Sequence, residues 1–534
     1  MSTKGTSRVM LAIGASRILG LVREVLLNTV LGAGKELDAL IAAFRIPNLL
    51  RDLFAEGALS TAFVTTFSQK LAKEGKAAAY RLANNVNTLL FIVLTAIVAV
   101  GILEADFLVH LFNPGFAAVP GKSELTVELT RILFPFILFL SLAAVYMGLL
   151  NSLHHFGLPA LASAVFNFVS IGLGLLLAWW MDPAFGPKSV YAFSIGVLVG
   201  GLAQWLVMVP RAISVGYHAR WWIDLKDPGL KQVLRLLGPA SVGAAAIQIN
   251  VLVNGYFASY LEDGSVTCLN NAFRLIQLPI GLFGVAVATV TLPHLARHAA
   301  LDDKQALHDR LLVGVRQTLF LTLPAAIGLF ILAEPVIASI YQYGRFTADD
   351  TARTALALKG YALGLVSYSC IKVVSPAFSA IDKPGIPLRI SLTGIILNIG
   401  MNYLLIRVFN LGILGLTLSV ASVATLNILQ LAWASQRHVG TFFRPDFMQA
   451  VLRISLSCIV LTGALKVGSW LIDPFAGPVI LRVAGTLALC TLGAFAYFLA
   501  ATLLGLSDVR LLVRRSGTGG VKGLRGYGVK GLRG

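Results

Sequence analysis

Apolar stretches of about 20 residues follow one another along almost the whole chain, and no other feature restricts the possible folds as tightly. At 1.5 Å per residue, each is long enough to cross a hydrocarbon layer of roughly 30 Å. Fourteen can be placed: 9–32, 38–66, 80–103, 129–151, 158–181, 190–210, 232–260, 266–293, 314–341, 354–379, 386–408, 412–435, 450–472 and 480–505. Backbone polar groups in lipid must be satisfied by helices or by a closed barrel. Barrel strands would alternate apolar and polar residues, and these runs do not. The expected fold is therefore all-α, a polytopic membrane protein of about 14 transmembrane helices. Composition agrees, with 57% hydrophobic and 13% charged residues among 534, against about 25% charged in soluble domains. The first stretch is interrupted by Arg17 and Arg23 and reads as a retained helix rather than a cleavable signal. Cys268, Cys370, Cys458 and Cys490 lie far apart, in no CxxC or Cys/His spacing, so neither a zinc site nor a disulfide framework is expected.

The net charge of +18 would suggest nucleic acid in a soluble protein. In a membrane protein, Lys and Arg collect on cytoplasmic loops. Of the 43 basic residues, 27 fall on the N-terminus, the tail and every second loop (69–82, 211–236, 294–316, 382–389, 436–453), and 7 fall on the other loops. Both termini are therefore expected in the cytoplasm, and no nucleic-acid partner is expected.

An internal repeat is visible. Ala43-Phe44-Arg45 with Leu53-Phe54 recurs in the second half of the chain as Ala272-Phe273-Arg274 with Leu282-Phe283. Gly157, Pro159, Ser163, Ile171, Gly172, Leu176 and Leu177 recur at the same spacing as Gly385, Pro387, Ser391, Ile399, Gly400, Leu404 and Leu405. Six spans separate the members of each pair, and an even number preserves orientation. Two parallel six-helix lobes are expected, residues 1–215 and 216–440, with two extra helices in 441–510 and a basic cytoplasmic tail at 511–534. The tail repeats Val-Lys-Gly-Leu-Arg-Gly, a composition suited to anionic lipid.

Nine basic residues lie within or beside the spans: Arg17, Arg23, Arg45, Arg51, Arg131, Arg274, Lys359, Lys372 and Lys466. Each charge at bilayer depth costs about 2.5–3.5 kcal/mol even on the lenient insertion scales, so a group of them implies a polar cavity. Arg131, Lys359 and Lys466 are close enough to span ends to reach headgroups. Asp52, seven residues after Arg45 on the same helix face, is the expected partner of Arg45. The nearby acids Glu24, Asp38, Asp52 and Glu56 can neutralise part of the charge, but they are too few for Arg17, Arg23, Arg51 and Arg274. A guanidinium stays charged when buried and grips phosphate or carboxylate in a bidentate fashion, so these four suit an anionic, phosphate-bearing ligand. Gly20, Pro47 and Gly57 among them allow the helices to bend.

Other chemistries find no support. Gly121-Lys122-Ser123 resembles the end of a phosphate-binding loop, but the glycine that the motif needs would fall at Phe116. No GxSxG or HExxH occurs, and His154-His155 reads as a solvated turn, so the protein is expected not to be an enzyme. No cofactor is expected. No soluble nucleotide-binding domain is present, which leaves the membrane potential or a monovalent-ion gradient as the energy source.

Residues 15–23, Ala-Ser-Arg-Ile-Leu-Gly-Leu-Val-Arg, and 45–60, Arg-Ile-Pro-Asn-Leu-Leu-Arg-Asp-Leu-Phe-Ala-Glu-Gly-Ala-Leu-Ser, resemble the MurJ (MviN) family of lipid II flippases. So do Phe257-Ala-Ser with Gly264-Ser-Val, Ala272-Phe-Arg-Leu with Leu278-Pro, and Gln342-Tyr-Gly-Arg-Phe-Thr. The resemblance implies the multidrug/oligosaccharidyl-lipid/polysaccharide exporter fold, with the two extra helices bordering a groove for the lipid tail. It also implies translocation of the undecaprenyl-pyrophosphate-linked peptidoglycan precursor from the inner to the outer leaflet of the bacterial cytoplasmic membrane. The family's cavity arginines fall on Arg17, Arg23, Arg51 and Arg274 and its acid after the first span on Asp38, while Asn48 and Glu56 lie in the second-span block. Some members carry acids proposed to hold sodium where this chain has Asn254 and Asn402, with Asn398 retained, which argues against a sodium site here. Phe273 stands where some relatives carry a partner acid for the arginine, so Arg274 is expected to be less neutralised than theirs. Lipid II and membrane lipids are the implied partners, with other cell-wall synthesis proteins as further candidates. The alternatives are another exporter of the same fold, for which a cationic drug would call for carboxylates in the cavity, a non-transporting scaffold for cell-wall enzymes, or a membrane transferase.

Overall fold

The computed structural model describes residues 3–52, 58–473, 475, 478–506 and 508–509. Among these the chain is helical throughout, with no strand. The helices are α1 (Thr3–Leu31), α2 (Lys35–Arg51), α3 (Ala58–Leu103), α4 (Ala105–Phe112), α5 (Lys122–Leu133), α6 (Phe136–Ser152), α7 (Gly157–Met181), α8 (Ser189–Leu206), α9 (Val209–Ser214) and α10 (Pro228–Ala258). They continue as α11 (Ser265–Pro279), α12 (Ala286–Ala300), α13 (Lys304–Ile331), α14 (Ala333–Tyr341), α15 (Ala348–Ala380), α16 (Gly385–Asn402), α17 (Gly412–His438), α18 (Pro445–Leu471) and α19 (Val479–Leu503). Among the described residues, 11 helical stretches are long and apolar enough to cross a membrane. One of them, Leu59–Leu103, holds the expected crossing at 80–103 and the end of the one at 38–66, and Gly75, at φ 82° and ψ −178°, breaks α3 into two rods between them.

Local chemistry sets several boundaries. Thr347 and Asp350 form a reciprocal capping box that starts α15. Asp303 caps α13 through the Ala306 N–H, and Asp227 caps α10 through the Gly229 N–H. Burial works to raise the Asp227 carboxyl, but the Lys70 ammonium and the Gly229 N–H outweigh it and hold the group below its ordinary value. Pro135 separates α5 from α6, and Pro279 ends α11 ahead of a π-helical turn, Ile280–Val285, that leads into α12.

The order of helices has a similar pattern in the two parts of the chain. Short helix α4 follows the long α3, and in the second half short α14 follows the long α13 in the same way. Helix α7 begins at Gly157, and its counterpart α16 begins at Gly385, the glycine that matches it in the repeat. Helices α18 and α19 pack on each other and on α13 through Phe320, Ile454, Leu461, Leu489 and Tyr497. The outer surface is apolar: Trp180, Leu103, Trp470 and Leu503 all point away from the protein. A water-soluble protein hides such surface, whereas lipid solvates it.

Candidate substrate site between the two halves

Helix α11 carries the contact between the halves on one face. Thr267, Asn271 and Arg274 are spaced four and three residues apart, so they lie in line down the helix. Each meets a polar group of the N-terminal half. At the top, Asp38 of α2 is wholly buried, and its carboxylate accepts four hydrogen bonds: the Thr267 N–H at 2.8 Å, the Thr267 hydroxyl at 2.7 Å, the Gly264 N–H at 2.9 Å and Lys122 Nζ at 2.8 Å. Lys122 also reaches Asp263 at 2.5 Å and sits over the Phe116 ring. A carboxylate at a helix N-terminus, bonded to two of its free N–H groups and to a cation, is a well-compensated buried charge.

One turn lower, Asn28 of α1 and Asn271 exchange amide hydrogen bonds at 3.2 and 2.7 Å, both side chains buried. Lower still, buried Glu24 of α1 accepts from Arg274 at 2.8 Å and from Arg23 at 3.3 Å. Arg23 lies over the Phe166 ring of α7. This triad of two guanidiniums and one carboxylate leaves Arg23 Nε and Nη1 and Arg274 Nε buried without a hydrogen-bond acceptor. Arg274 does have an acidic partner, though one it shares with Arg23. Its partner comes from α1, at the opposite end of the repeat, rather than from the neighbouring position 273.

The remaining predicted residues are placed as follows. Arg17 lies seven residues before Glu24, about 10 Å away along the same helix face, and is exposed without a bond to any described residue. Arg51 is tied to Asp52 through Nε at 3.0 Å and Nη2 at 2.7 Å, and Gln248 of α10 donates to the same carboxylate at 2.8 Å. Asp52 therefore serves Arg51 and not Arg45, whose guanidinium lies against Gly255 of α10. Asn48 is half-buried on α2 and its side chain bonds to no described residue. Glu56 lies outside the described residues. Asp38 stands apart from the arginines with every acceptor bond filled, so the structure gives it an anchoring position.

Asn254 and Asn402 meet in a second cluster. Asn398 Nδ2 donates to Asn250 at 2.6 Å and Asn254 at 2.9 Å, Asn402 Nδ2 donates to Asn254 at 3.1 Å, and Ser419 donates to Asn398 at 3.1 Å. The amide donors take up the oxygens of Asn250, Asn254 and Asn398, Asn402 Oδ1 is buried without a partner, and no carboxylate contributes. The cluster fastens α10 to α16 and α17 as a neutral network.

Two partners escape a reading of the sequence, and a third, Glu24, is legible there only as an acid near the arginines. Glu24 gives no sign that it reaches the other half. Gln248 is an ordinary helical glutamine. Lys122 is counted among the outer loop residues, and its Gly-Lys-Ser context suggests only a failed motif.

Long apolar helices, an apolar exterior and a charged seam inside the bundle define a polytopic helical membrane protein with a buried polar site. A likeness in fold to an inward-facing multidrug transporter of the MATE family agrees, at a TM-score of 0.68 and 16% identity over 79% of this chain and 94% of that one. The family profile described as lipid II flippase MurJ matches residues 27–479, and the chain belongs to that family. It is 32% identical to the probable lipid II flippase MurJ of Buchnera aphidicola subsp. Schizaphis graminum, over 92% of this chain and 96% of the relative. It is 34% identical to the lipid II flippase MurJ of Burkholderia cenocepacia over 84% and 87%. A solved lipid II flippase MurJ in an inward closed conformation superposes with a TM-score of 0.77 and 26% identity, covering 95% of this chain and 99% of that one. The chain is thus a multi-pass protein of the bacterial inner membrane.

Proposed function

We propose that this lipid II flippase grips the pyrophosphate of its substrate with Arg17, Arg23 and Arg274. In this reading Glu24 holds the last two in place while no headgroup is bound. The observation that carries it is the convergence of two guanidiniums, one from each half, on a single carboxylate while three of their N–H groups stay buried and unpartnered. Buried donors without acceptors cost about 1–3 kcal/mol each, and a pyrophosphate supplies the missing acceptors. Arg51 joins when Asp52 is released from it, with Asn48 beside it on the same helix.

The junction of Asp38, Lys122, Asp263 and Thr267 closes the Lys/Arg-poor end of the seam, the end that charge distribution assigns to the outside. Both termini then face the cytoplasm. Arg17 and the exposed Leu11 and Ile18 lie toward the other end. Units 1–215 and 216–440 rock about the seam, exposing the headgroup first inward and then outward, and the lipid tail stays in the bilayer along 441–510. With the cytoplasm negative, each negative charge moved outward is favoured by about 2.3 kcal/mol per 100 mV, so the potential supplies direction without a coupled ion.

Rescue of a flippase-depleted strain tests the arginines. Arg17→Ala and Arg274→Ala are each expected to abolish rescue at normal protein level. Full rescue by both removes the pyrophosphate assignment.

A further inference from the structure

The connection between α9 and α10 does not hang free. Residues 217–227 run extended along α3, and side chains of that helix take the place of a partner strand. Asn84 accepts from the Arg220 N–H at 3.1 Å and donates to the His218 carbonyl at 3.3 Å. Asn85 accepts from the Asp224 N–H at 3.0 Å and donates to the Asp224 carbonyl at 2.7 Å. Thr88 accepts from the Trp222 N–H at 3.2 Å. Lys70 pairs with Asp227 at 2.9 Å where the strap passes into α10. Asn84, Asn85 and Thr88 are themselves buried beneath it.

What the strap turns outward is unlike an ordinary cytoplasmic loop. Trp221 is 71% exposed, Trp222 51%, Ile223 52% and Leu225 61%, with Arg220 and Lys226 exposed beside them. Trp221 also meets the Phe91 ring edge-on. The side chains of Arg220 and Lys226 bond to no described residue; Asp227 is paired with Lys70, and Asp224 accepts the Lys226 N–H but has no cationic partner among the described residues. The tip stands where the polar stretch of α3, with Lys73, Lys76 and Arg81, gives way to the apolar run from Leu89 to Leu103. Irregular backbone at that depth is tolerated only when protein groups satisfy it, and the Asn84, Asn85 and Thr88 bonds do so. Tryptophan with Arg or Lys at the boundary of an apolar helix is the chemistry of a membrane interface.

We infer that strap 217–227 is a docking surface for anionic lipid headgroups in the leaflet at the Lys/Arg-rich end, with Trp221 and Trp222 seated among the upper acyl chains and Arg220 and Lys226 on the phosphates. The occupant is lipid rather than protein because, with Asp227 paired to Lys70, the two basic side chains of the strap outnumber its one remaining acid, Asp224, and its apolar side chains lie level with the start of the apolar run of α3.

The test uses the full chain in vesicles of phosphatidylcholine with phosphatidylglycerol, one or the other brominated on the acyl chain near the headgroup. The emission lost on Trp221→Phe/Trp222→Phe isolates the strap. That emission is expected to be quenched by brominated lipid and shielded from aqueous iodide. Brominated phosphatidylglycerol should be enriched around it about fivefold over brominated phosphatidylcholine for each engaged basic residue. Arg220→Gln/Lys226→Gln, with Trp221 and Trp222 retained, should bring the two lipids to parity. Quenching by iodide but not by lipid overturns the docking surface. Equal quenching by the two lipids in the unsubstituted strap, or an anionic preference that survives Arg220→Gln/Lys226→Gln, overturns the anionic assignment.

Discussion

Glu24 shows how much one buried carboxylate decides. It holds Arg23 of its own helix and Arg274 of the other half, so its charge competes with any phosphate for the same donors. Glu24→Gln removes the competitor and leaves two guanidiniums undercompensated, which is strongly destabilising for buried charge. In detergent the variant is expected to melt at a lower temperature than the unsubstituted protein. Inorganic pyrophosphate should raise its melting temperature by more, since a ligand at about 100 times its Kd adds roughly 2.7 kcal/mol. An equal shift in both proteins, read by thermal unfolding, would separate Glu24 from the ligand site. The arginines were legible in the sequence because a charge inside an apolar run is conspicuous at any position. Their partners were not, because proximity along the chain is a poor guide to proximity in space. Asp52 stood in line with Arg45 on a helix face, yet the fold gives it to Arg51 and Gln248.

At the scale of elements, the seam depends on how closely α11 can approach the N-terminal half. Gly264, the residue before α11, has φ 82°, and a Cβ there would collide with the Ala33 carbonyl. Gly264→Ala is expected to cost about 2–4 kcal/mol, combining left-handed strain with overpacking. Gly172→Ala on α7, where a Cβ meets nothing within 4 Å, should be neutral or stabilise by about 0.5–1 kcal/mol. Thermal melts of the two variants check the contrast. Lys122→Ala strips Asp38 of its cation and is expected to weaken the outer junction by about 3–5 kcal/mol. The readout is membrane-impermeant maleimide labelling of a cysteine placed at buried Val266 in a background lacking the native cysteines. Labelling from outside should rise in Lys122→Ala, and unchanged labelling would show that this ion pair does not hold the seam shut. Helix positions were readable from apolar run lengths, and the internal repeat from two short blocks. The strap was not, because its order comes from Asn84, Asn85 and Thr88, which belong to a helix of the first half, several spans earlier in the chain.

For the whole molecule, the proposed translocation carries negative charge toward the outside through a site walled by fixed positive charge. Lipid II transfer in vesicles holding only this protein is therefore expected to accelerate when a potential negative on the cytoplasmic side is imposed. It should be indifferent to replacing sodium by potassium, because the Asn254, Asn398 and Asn402 network has no carboxylate to hold the ion. Transfer that ignores the potential but stops without sodium would overturn this assignment of the driving force. The sequence by itself determined the solvent, the helical class and the presence of arginine inside the spans, since each follows from local composition and period. Only the tertiary structure decided which charges face one another. Asp38 with Lys122 and Thr267, Glu24 with Arg274, and Asn28 with Asn271 are pairs from distant parts of the chain. Inside a bundle where lipid offers no hydrogen bonds, each of these polar groups must find its partner in another helix, and helix packing determines which helix that is.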